Sequence, residues 1–378
     1  MHRLSDLLEM ARHNQQIVLS PYRINPLGAH VDHQGGPVLG RSIDLYTAFA
    51  FDSAENQINV SHANTTLSLT LNSQSIGQGW HKYLQGAVAA LNAHTPLQQG
   101  LTGYVSGSLL GAGLSSSASV LLAYLVGLAT VNGLDLSQTE LVELVRQVEN
   151  EHLGLNNGVQ DQMCIAYGHK NALTVVDSLA RTVTYALDPP HVEEVGWLLA
   201  YSGFSRELVG SGFNTRVAEC REAARQLDPR ATILCDVSAE NRTSNMPTLA
   251  PMLQRRAAHF FSEVARVRLG ATLWSQGDWV EFGRKMNQSC HSSITQYESG
   301  SRPVNKLHEI MSSTTGVYGS RFCGGGYGGC VVALVDQTKI ASAADSIREQ
   351  YLNLYPEKQH VADVFQVHAE NGVRLLST

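Results

Sequence analysis

Residues 111–119, GAGLSSSAS, run without a break into the apolar stretch VLLAYLVGLATV, which ends at Val131. No other junction constrains the fold as tightly. Glycines and consecutive serines are poor helix formers, whereas the Leu, Val, Ala and Tyr spacing over 118–131 suits a buried helix. Residues 102–106 read as a strand, so the unit is strand, tight loop and buried helix. A glycine turn feeding a helix N-terminus presents backbone N–H groups at the positive end of the helix dipole, which suits an anion. The hydroxyls of Ser115, Ser116 and Ser117 can add contacts to a phosphate or a magnesium ion. A serine-capped helix that binds nothing is the plainer alternative.

Two familiar phosphate motifs do not fit. A Walker loop requires GxxxxGK[ST], and no lysine follows here. A dinucleotide fold wants GxGxxG with an acid about twenty residues on. Gly111 and Gly113 supply the first two glycines, but Ser116 occupies the third place. Whatever binds here is held by serine and backbone rather than by lysine.

The 378 residues are enough for two domains with proper cores. A net charge of −6 argues against a nucleic-acid partner. The opening MHRLSDLLEMARHNQQ is polar and amphipathic rather than a signal peptide, and every apolar run is interrupted before membrane-spanning length. The cysteines (164, 220, 235, 290, 323, 330) form no CxxC pair, which implies reduced thiols and a cytoplasmic setting. The pattern predicts strands at 16–20, 37–51, 56–61 and 65–71, a helix over 80–93, and helices over 118–131 and 137–150. The second of these opens on a capping box, SQTE. After the Pro-rich break LDPPH (187–191), a strand at 195–202 leads into long helical segments over 213–227, 248–274 and 279–289. Strands at 317–322 and 330–335, a helix over 340–353 and a strand at 361–367 close the chain. The reading is α+β in two lobes, residues 1–190 and 191–378.

Three segments can carry chemistry. The first, SPYRINPLGAHVDHQGG (20–36), reads as a Gly/Pro-punctuated loop that crowds Arg23, His30, Asp32 and His33 together. The two histidines lack the further Cys, His or Glu that a zinc site needs, and Asp32 alone is consistent with a turn residue. In the second, VENEHLGLNNGVQDQMC (148–164), Glu149 ends one helix and Asp161 lies near the start of another. An acid there can simply complement the helix dipole. The functional reading makes Asp161 a base and Glu149 a magnesium ligand, since magnesium prefers hard oxygen donors beside a phosphate. The third, SRFCGGGYGGC (320–330), has more glycine than a hairpin requires and lets backbone approach a ligand or another loop. A flexible turn is the alternative.

In this order, the three segments resemble the GHMP kinase superfamily. GAGLSSSAS is similar to its phosphate loop and CGGGYGGC to its C-terminal glycine motif. RINPLGAHVDHQGG resembles the sugar signature of galactokinases, R-x-N-x-I-G-E-H-x-D-x-x-G-G, and NNGVQDQ and GFNTRVAEC extend the match along most of the chain. HLGLNNG and YESGSRP…GVYGSRF look most like plant-type galacturonokinases. The resemblance implies a ribosomal-S5-domain-2-like N-terminal lobe and a ferredoxin-like C-terminal lobe, with mixed or antiparallel sheets and helices. It implies ATP-dependent phosphorylation of a sugar at C1. Arg23 and Asp161 then match the catalytic pair, and Ser117 and Glu149 the ligands of Mg2+. Gly111, Gly113, Leu114, Ser115, Ser116 and Ser117 match the triphosphate cradle. His30, Asp32, Gly158, Phe213 and position 29 match the sugar site, and Gly324, Gly325 and Gly326 the glycine motif.

Three departures bear on the substrate. Galactokinases carry a glutamate where this chain has Ala29, and that glutamate accepts a hydrogen bond from the C6 hydroxyl. A uronic acid carries a carboxylate at C6, and two carboxylates a few ångströms apart repel. Alanine removes the clash and disfavours galactose, so the resemblance points to D-galacturonate. Arg41 and Arg206 are candidates to hold its carboxylate. Phe213 stands where both groups have a tyrosine, and the missing hydroxyl relaxes discrimination between galacturonate and glucuronate. Gly328 replaces an arginine of the plant-type enzymes, but galactokinases also have glycine there. Trp80 and Tyr83 are candidates for contact with adenine, with core packing the competing role. A neutral-sugar kinase and a silent sugar/ATP sensor remain as other readings, and monomer and dimer both stay open.

Overall fold

A computed structural model describes residues 16–73, 77–205 and 212–376. The opening segment read as polar and amphipathic, and Arg206, lie outside these described residues. The strands are β1 (Gln16–Leu27), β2 (Val38–Ala54), β3 (Gln57–His62), β4 (Thr65–Thr70), β5 (Gly100–Gly107), β6 (Ala172–Asp177) and β7 (Thr182–Leu187) in the first half. The second half adds β8 (Val195–Tyr201), β9 (Val317–Phe322), β10 (Cys330–Asp336), β11 (Asp363–Val367) and β12 (Arg374–Leu376). The helices are α1 (His81–His94), α2 (Ser116–Val131), α3 (Gln138–Gln147), α4 (Gln160–Ala166), α5 (Phe213–Leu227), α6 (Ala239–Asn245), α7 (Pro251–Gln276), α8 (Trp279–Thr295), α9 (Arg302–Ser313) and α10 (Ile340–Leu354).

Two sheets organise these elements. The first is mixed, in the order β12-β1-β2-β5-β3-β4, with β6 paired to β2 and β7 to β6; β3 and β5 run parallel. The second is antiparallel, β11-β8-β10-β9. Strands change sheet between Leu187 and Val195, next to the Pro-rich break. The chain then returns at its end, where β12 adds to the edge of β1. The α+β class holds, and α2 packs on β1 and β2 with its Leu and Ala side chains wholly buried.

One expectation fails locally. The segment from Ser20 reads as a loop because of its prolines, yet β1 continues through Leu27 and carries Arg23 as a strand residue. The prolines are accommodated because the register with β2 shifts between Pro21 and Tyr22 and again between Ile24 and Leu27. Bulges are where a strand tolerates a residue without an N–H donor. Strands β6, β7 and β12 and helix α6 are too short to show a clear period; α9, absent from the sequence reading, does carry one, with Val304, Leu307, Ile310 and Met311 buried on one face.

Candidate active site

Arg23 is the hub. It is 1% exposed, and both its Nε and Nη2 donate to Asp161 Oδ1, at 2.9 and 2.8 Å. Its Nη1 donates to the Gly113 carbonyl at 3.1 Å, and its backbone N–H to the Leu114 carbonyl. One buried side chain thus ties β1, the Gly/Ser loop and the first turn of α4 together. Burial opposes the charged guanidinium, but the adjacent Asp161 carboxylate more than offsets this and raises its pKa. Asp161 is 22% exposed and faces the cavity.

The Gly/Ser loop has the form of a backbone cradle. Gly111, Gly113 and Ser115 all adopt left-handed φ angles (68°, 76° and 62°), and Ser115 caps α2. Such alternation turns successive N–H groups inward toward an anion. A non-glycine residue held there is strained by about 1 kcal/mol or more, and the Ser115 hydroxyl is buried with no hydrogen-bond partner among the described residues. The glycine motif closes on this loop from the other half of the chain. Cys330 donates its N–H to the Ala112 carbonyl at 2.9 Å. A Cβ on Gly329 would press into that same carbonyl, and its φ is +85°. The excess glycine between β9 and β10 is therefore a contact surface for the cradle.

A cavity of about 70 Å³ is lined by Arg23, Asn25, Ala29, His30, Asp32, Ser117, Glu149, Gly158, Asp161, Phe213, Gly324 and Gly325, among others. Asp32 opens a short 3₁₀ turn and its Oδ2 accepts the Gln160 N–H at 3.3 Å. Burial, and then the nearby Asp161 charge, push its carboxyl up to about 6. Gly158 is required by this approach, since a Cβ there would lie 2.5 Å from Asp32 Oδ2. His30, at φ +58°, stacks flat on the buried Tyr297 ring at 4.2 Å, and its Nε2 meets the Ser299 hydroxyl. His33 bonds the Tyr297 hydroxyl through Nε2, and the edge of Phe213 meets its ring. Tyr297 thus serves both histidines, His30 through its ring face and His33 through its hydroxyl.

Glu149 sits on a single π-helical turn, Val148–His152, that continues α3, a distortion often found at functional positions. It is buried, and Asn157 Nδ2 and Gln162 Nε2 both donate to its Oε2, at 2.8 and 2.5 Å. Two amides fixing one oxygen is the orienting arrangement that metal-ligating carboxylates receive. Glu149 and Ser117 line the same cavity, so a hydroxyl and a carboxylate converge beside the phosphate cradle. This donor set suits Mg2+.

A second cavity, of about 370 Å³, opens on the other side of the cradle, lined by His62, Trp80, Lys82, Tyr83, Leu110, Gly111, Ser116, Ser117 and Tyr124, among others. Trp80 and Tyr83 pack against the core and also form part of the cavity wall. Its aromatic, apolar lining next to an anion cradle has the character of a nucleobase pocket.

Arg41 does not belong to the site. It forks onto Asp188 (2.8 and 2.5 Å), donates to the Lys170 carbonyl and lies over Trp274, which makes it a structural clamp between β2 and the Pro-rich break. The sequence reading missed the wall behind Ala29. There the fully buried Glu263 of α7 accepts the amides of Gly28 (2.7 Å) and Ala29 (3.2 Å) and the Ser289 hydroxyl, and it pairs with Arg266. Burial alone would raise its carboxyl, but Arg266 and the other positive groups around it bring it down to about 2. His259 donates to or accepts from Ser292 and holds the Ala29 carbonyl through Nε2. Asn25, Asn157 and Gln160 line the cavity too. All three lie inside the segments singled out by motif; Asn25 is the asparagine of the R-x-N signature, whereas nothing in the spacing of Asn157 and Gln160 sets them apart.

Comparison with known proteins places the chain in a family. The models for the GHMP kinases N terminal domain and GHMP kinases C terminal match residues 82–169 and 270–353. The chain is 37% identical to a galacturonokinase of Arabidopsis thaliana, over 90% of this chain and 88% of that protein. The chain belongs to the GHMP kinases. Within them it is a galactokinase-like sugar kinase, 30% identical to a galactokinase of Roseiflexus over 96% and 93% of the two chains. Its fold superimposes on the crystal structure of Lactococcus lactis galactokinase complexed with galactose with a TM-score of 0.89, at 26% identity and 96% coverage of both.

Proposed function

We propose that this kinase transfers the γ-phosphoryl group of ATP to the anomeric hydroxyl of a uronic acid: ATP + D-galacturonate → ADP + α-D-galacturonate 1-phosphate. The observation that carries the choice of sugar is Ala29, a methyl group in the cavity wall where galactokinases hold a carboxylate. The galacturonokinase among the relatives supports the same choice. The relatives named galactokinase support the competing reading, a neutral sugar.

In this mechanism the sugar lies in the smaller cavity between Asp32, His30 and Ala29, with its anomeric hydroxyl toward Asp161. Asp161 accepts the hydroxyl proton as the oxygen attacks the γ-phosphorus, and the bond to the ADP oxygen breaks. Arg23 keeps Asp161 ionised and in place, and offsets charge on the transferring group. The backbone of residues 111–115 holds the phosphates, and Trp80 and Tyr83 flank the base. Ser117 and Glu149 would hold Mg2+, which supplies charge neutralisation to the phosphates. The six unpaired cysteines, five of them buried, fit a reducing compartment such as the cytoplasm.

The test is coupled ADP release with Mg-ATP and galacturonate, glucuronate, galactose or glucose at equal concentration. Turnover confined to the uronates is expected. Turnover of galactose in preference would reject the Ala29 argument, and ATP binding without turnover of any sugar would make the protein a sensor.

A further inference from the structure

The wall behind Ala29 carries an unbalanced charge. Arg321, at the end of β9, is fully buried. Its Nη1 donates to the Ser289 hydroxyl at 2.8 Å and its Nε to the Phe322 carbonyl, while Nη2 has no hydrogen-bond partner among the described residues. Its ion-pair partner among the described residues is Glu263, at a loose 3.8 Å, and Arg266 already holds Glu263 at 2.7 Å. The other titratable groups near Arg321 are Cys290, Cys323 and Arg23, with His308 and His259 on the neighbouring elements. Burial keeps both histidines neutral, with pKa values lowered to about 4, and Arg23 is matched by Asp161. Two guanidiniums therefore face one carboxylate. Leaving a buried guanidinium under-compensated is costly, so a further negative group nearby would be favoured.

The location says what that is. The Ala29 N–H and Arg321 Nη1 reach the same Glu263 oxygen, at 3.2 and 3.8 Å. The Phe322 ring neighbours both Arg321 and His30, with the guanidinium 5.6 Å and the imidazole 6.4 Å from its centre. Gly324, three residues on, lines the sugar cavity together with Ala29, His30 and Arg23. Arg321 thus lies in the layer behind the cavity wall, linked to the Ala29 backbone through the shared Glu263 oxygen.

We propose that Arg321 is the specificity residue for an acidic C6 group: its uncompensated charge favours a substrate carboxylate in the space that a glutamate at position 29 would fill. The inference rests on the uronate reading above and names the counter-charge that reading requires. Arg321 acts through its field on substrate binding, not on the transferring phosphoryl group.

The experiment compares galacturonate with galacturonamide, its neutral isostere, in the unaltered enzyme, Arg321→Gln and Arg321→Lys. In the unaltered enzyme galacturonate is expected to be favoured by about tenfold or more, expressed in KM and not in kcat. Arg321→Gln should erase that preference while kcat on the amide and KM for ATP persist, and Arg321→Lys should restore most of it. Equal losses on both substrates, or an unchanged preference, would overturn the proposal by reducing Arg321 to a structural role. Should Arg321→Gln fail to fold, Glu263→Gln decides: removing the one facing carboxylate should widen the preference for galacturonate, and an unchanged or narrowed preference overturns the idea. If the unaltered enzyme turns over galactose and neither uronate nor amide, the uronate reading itself has failed, and this proposal with it.

Discussion

Replacing Asp161 by asparagine separates charge from shape at the centre of the site. Asparagine keeps an Oδ1 that can accept from Arg23 Nε and Nη2, which now sit 2.9 and 2.8 Å from the aspartate oxygen. The geometry should survive while the base and the counter-charge disappear. Loss of a positioned general base costs roughly 10²–10⁴ in rate, or about 3–5 kcal/mol of barrier. Stability falls as well, because Arg23 is almost wholly buried. Breaking a buried pair costs about 3–5 kcal/mol. Asp161 is 22% exposed and Asp32 stands close enough to interact with it. The loss should therefore be nearer about 1–3 kcal/mol, a fall of several degrees in Tm at roughly 2–4 °C per kcal/mol. ATP affinity should change by less than about threefold, since Arg23 Nη1 still holds the Gly113 carbonyl. The assay is single-turnover phosphoryl transfer alongside calorimetric ATP binding and a thermal melt. Turnover within tenfold of the unaltered enzyme would refute the base assignment, and a parallel collapse of ATP binding would show that the loss came from the fold.

Four further outcomes are expected. The kcat/KM for the sugar should fall as pH drops below about 6, because Asp32 with its raised pKa gains a proton there and no longer accepts a hydroxyl bond; Asp32→Asn should flatten that acid limb. Gly329→Ala should destabilise the protein and raise KM for ATP, since it adds a collision with the Ala112 carbonyl to a left-handed φ; Gly111→Ala, with open space around it, should cost only about 1–2 kcal/mol of backbone strain in a thermal melt. Ala29→Glu should reduce kcat/KM for uronates by at least about tenfold and admit galactose, and no change in either would undo the C6 argument. Phe213→Tyr should widen the ratio of galacturonate to glucuronate turnover, and equal ratios in both proteins would remove Phe213 from the argument.

The sequence made some of this legible and hid the rest for identifiable reasons. The glycine turn, the helix it opens and the capping box at Ser137 are local devices, set by neighbouring residues, and the backbone follows the reading at all three. Arg23 was placed on a loop because composition counts prolines and does not see that a shifting register can absorb them. Arg41 looked like a free cation near the sugar segment, but its partner Asp188 lies 147 residues away in the chain. Strands β6 and β7 leave little trace in the sequence, because β6 is a short, mostly buried run and β7 is mostly exposed, so neither alternates cleanly.

The same separation explains why Ala29 was informative and incomplete. A missing glutamate is visible in a motif, because its neighbours define where it ought to be. What the gap means energetically depends on the groups behind it, and those are Glu263, 234 residues further on, and Arg321 on a different sheet. Neither has a local signature: one is an acid in a long helix and the other an arginine next to a glycine run. With a glutamate at position 29, the buried guanidinium would gain a second carboxylate and a neutral sugar would suffice. With alanine the protein keeps the positive charge and leaves its balance to the ligand. A site built that way gains most from a substrate that brings its own carboxylate, which is the physical content of a preference for uronates.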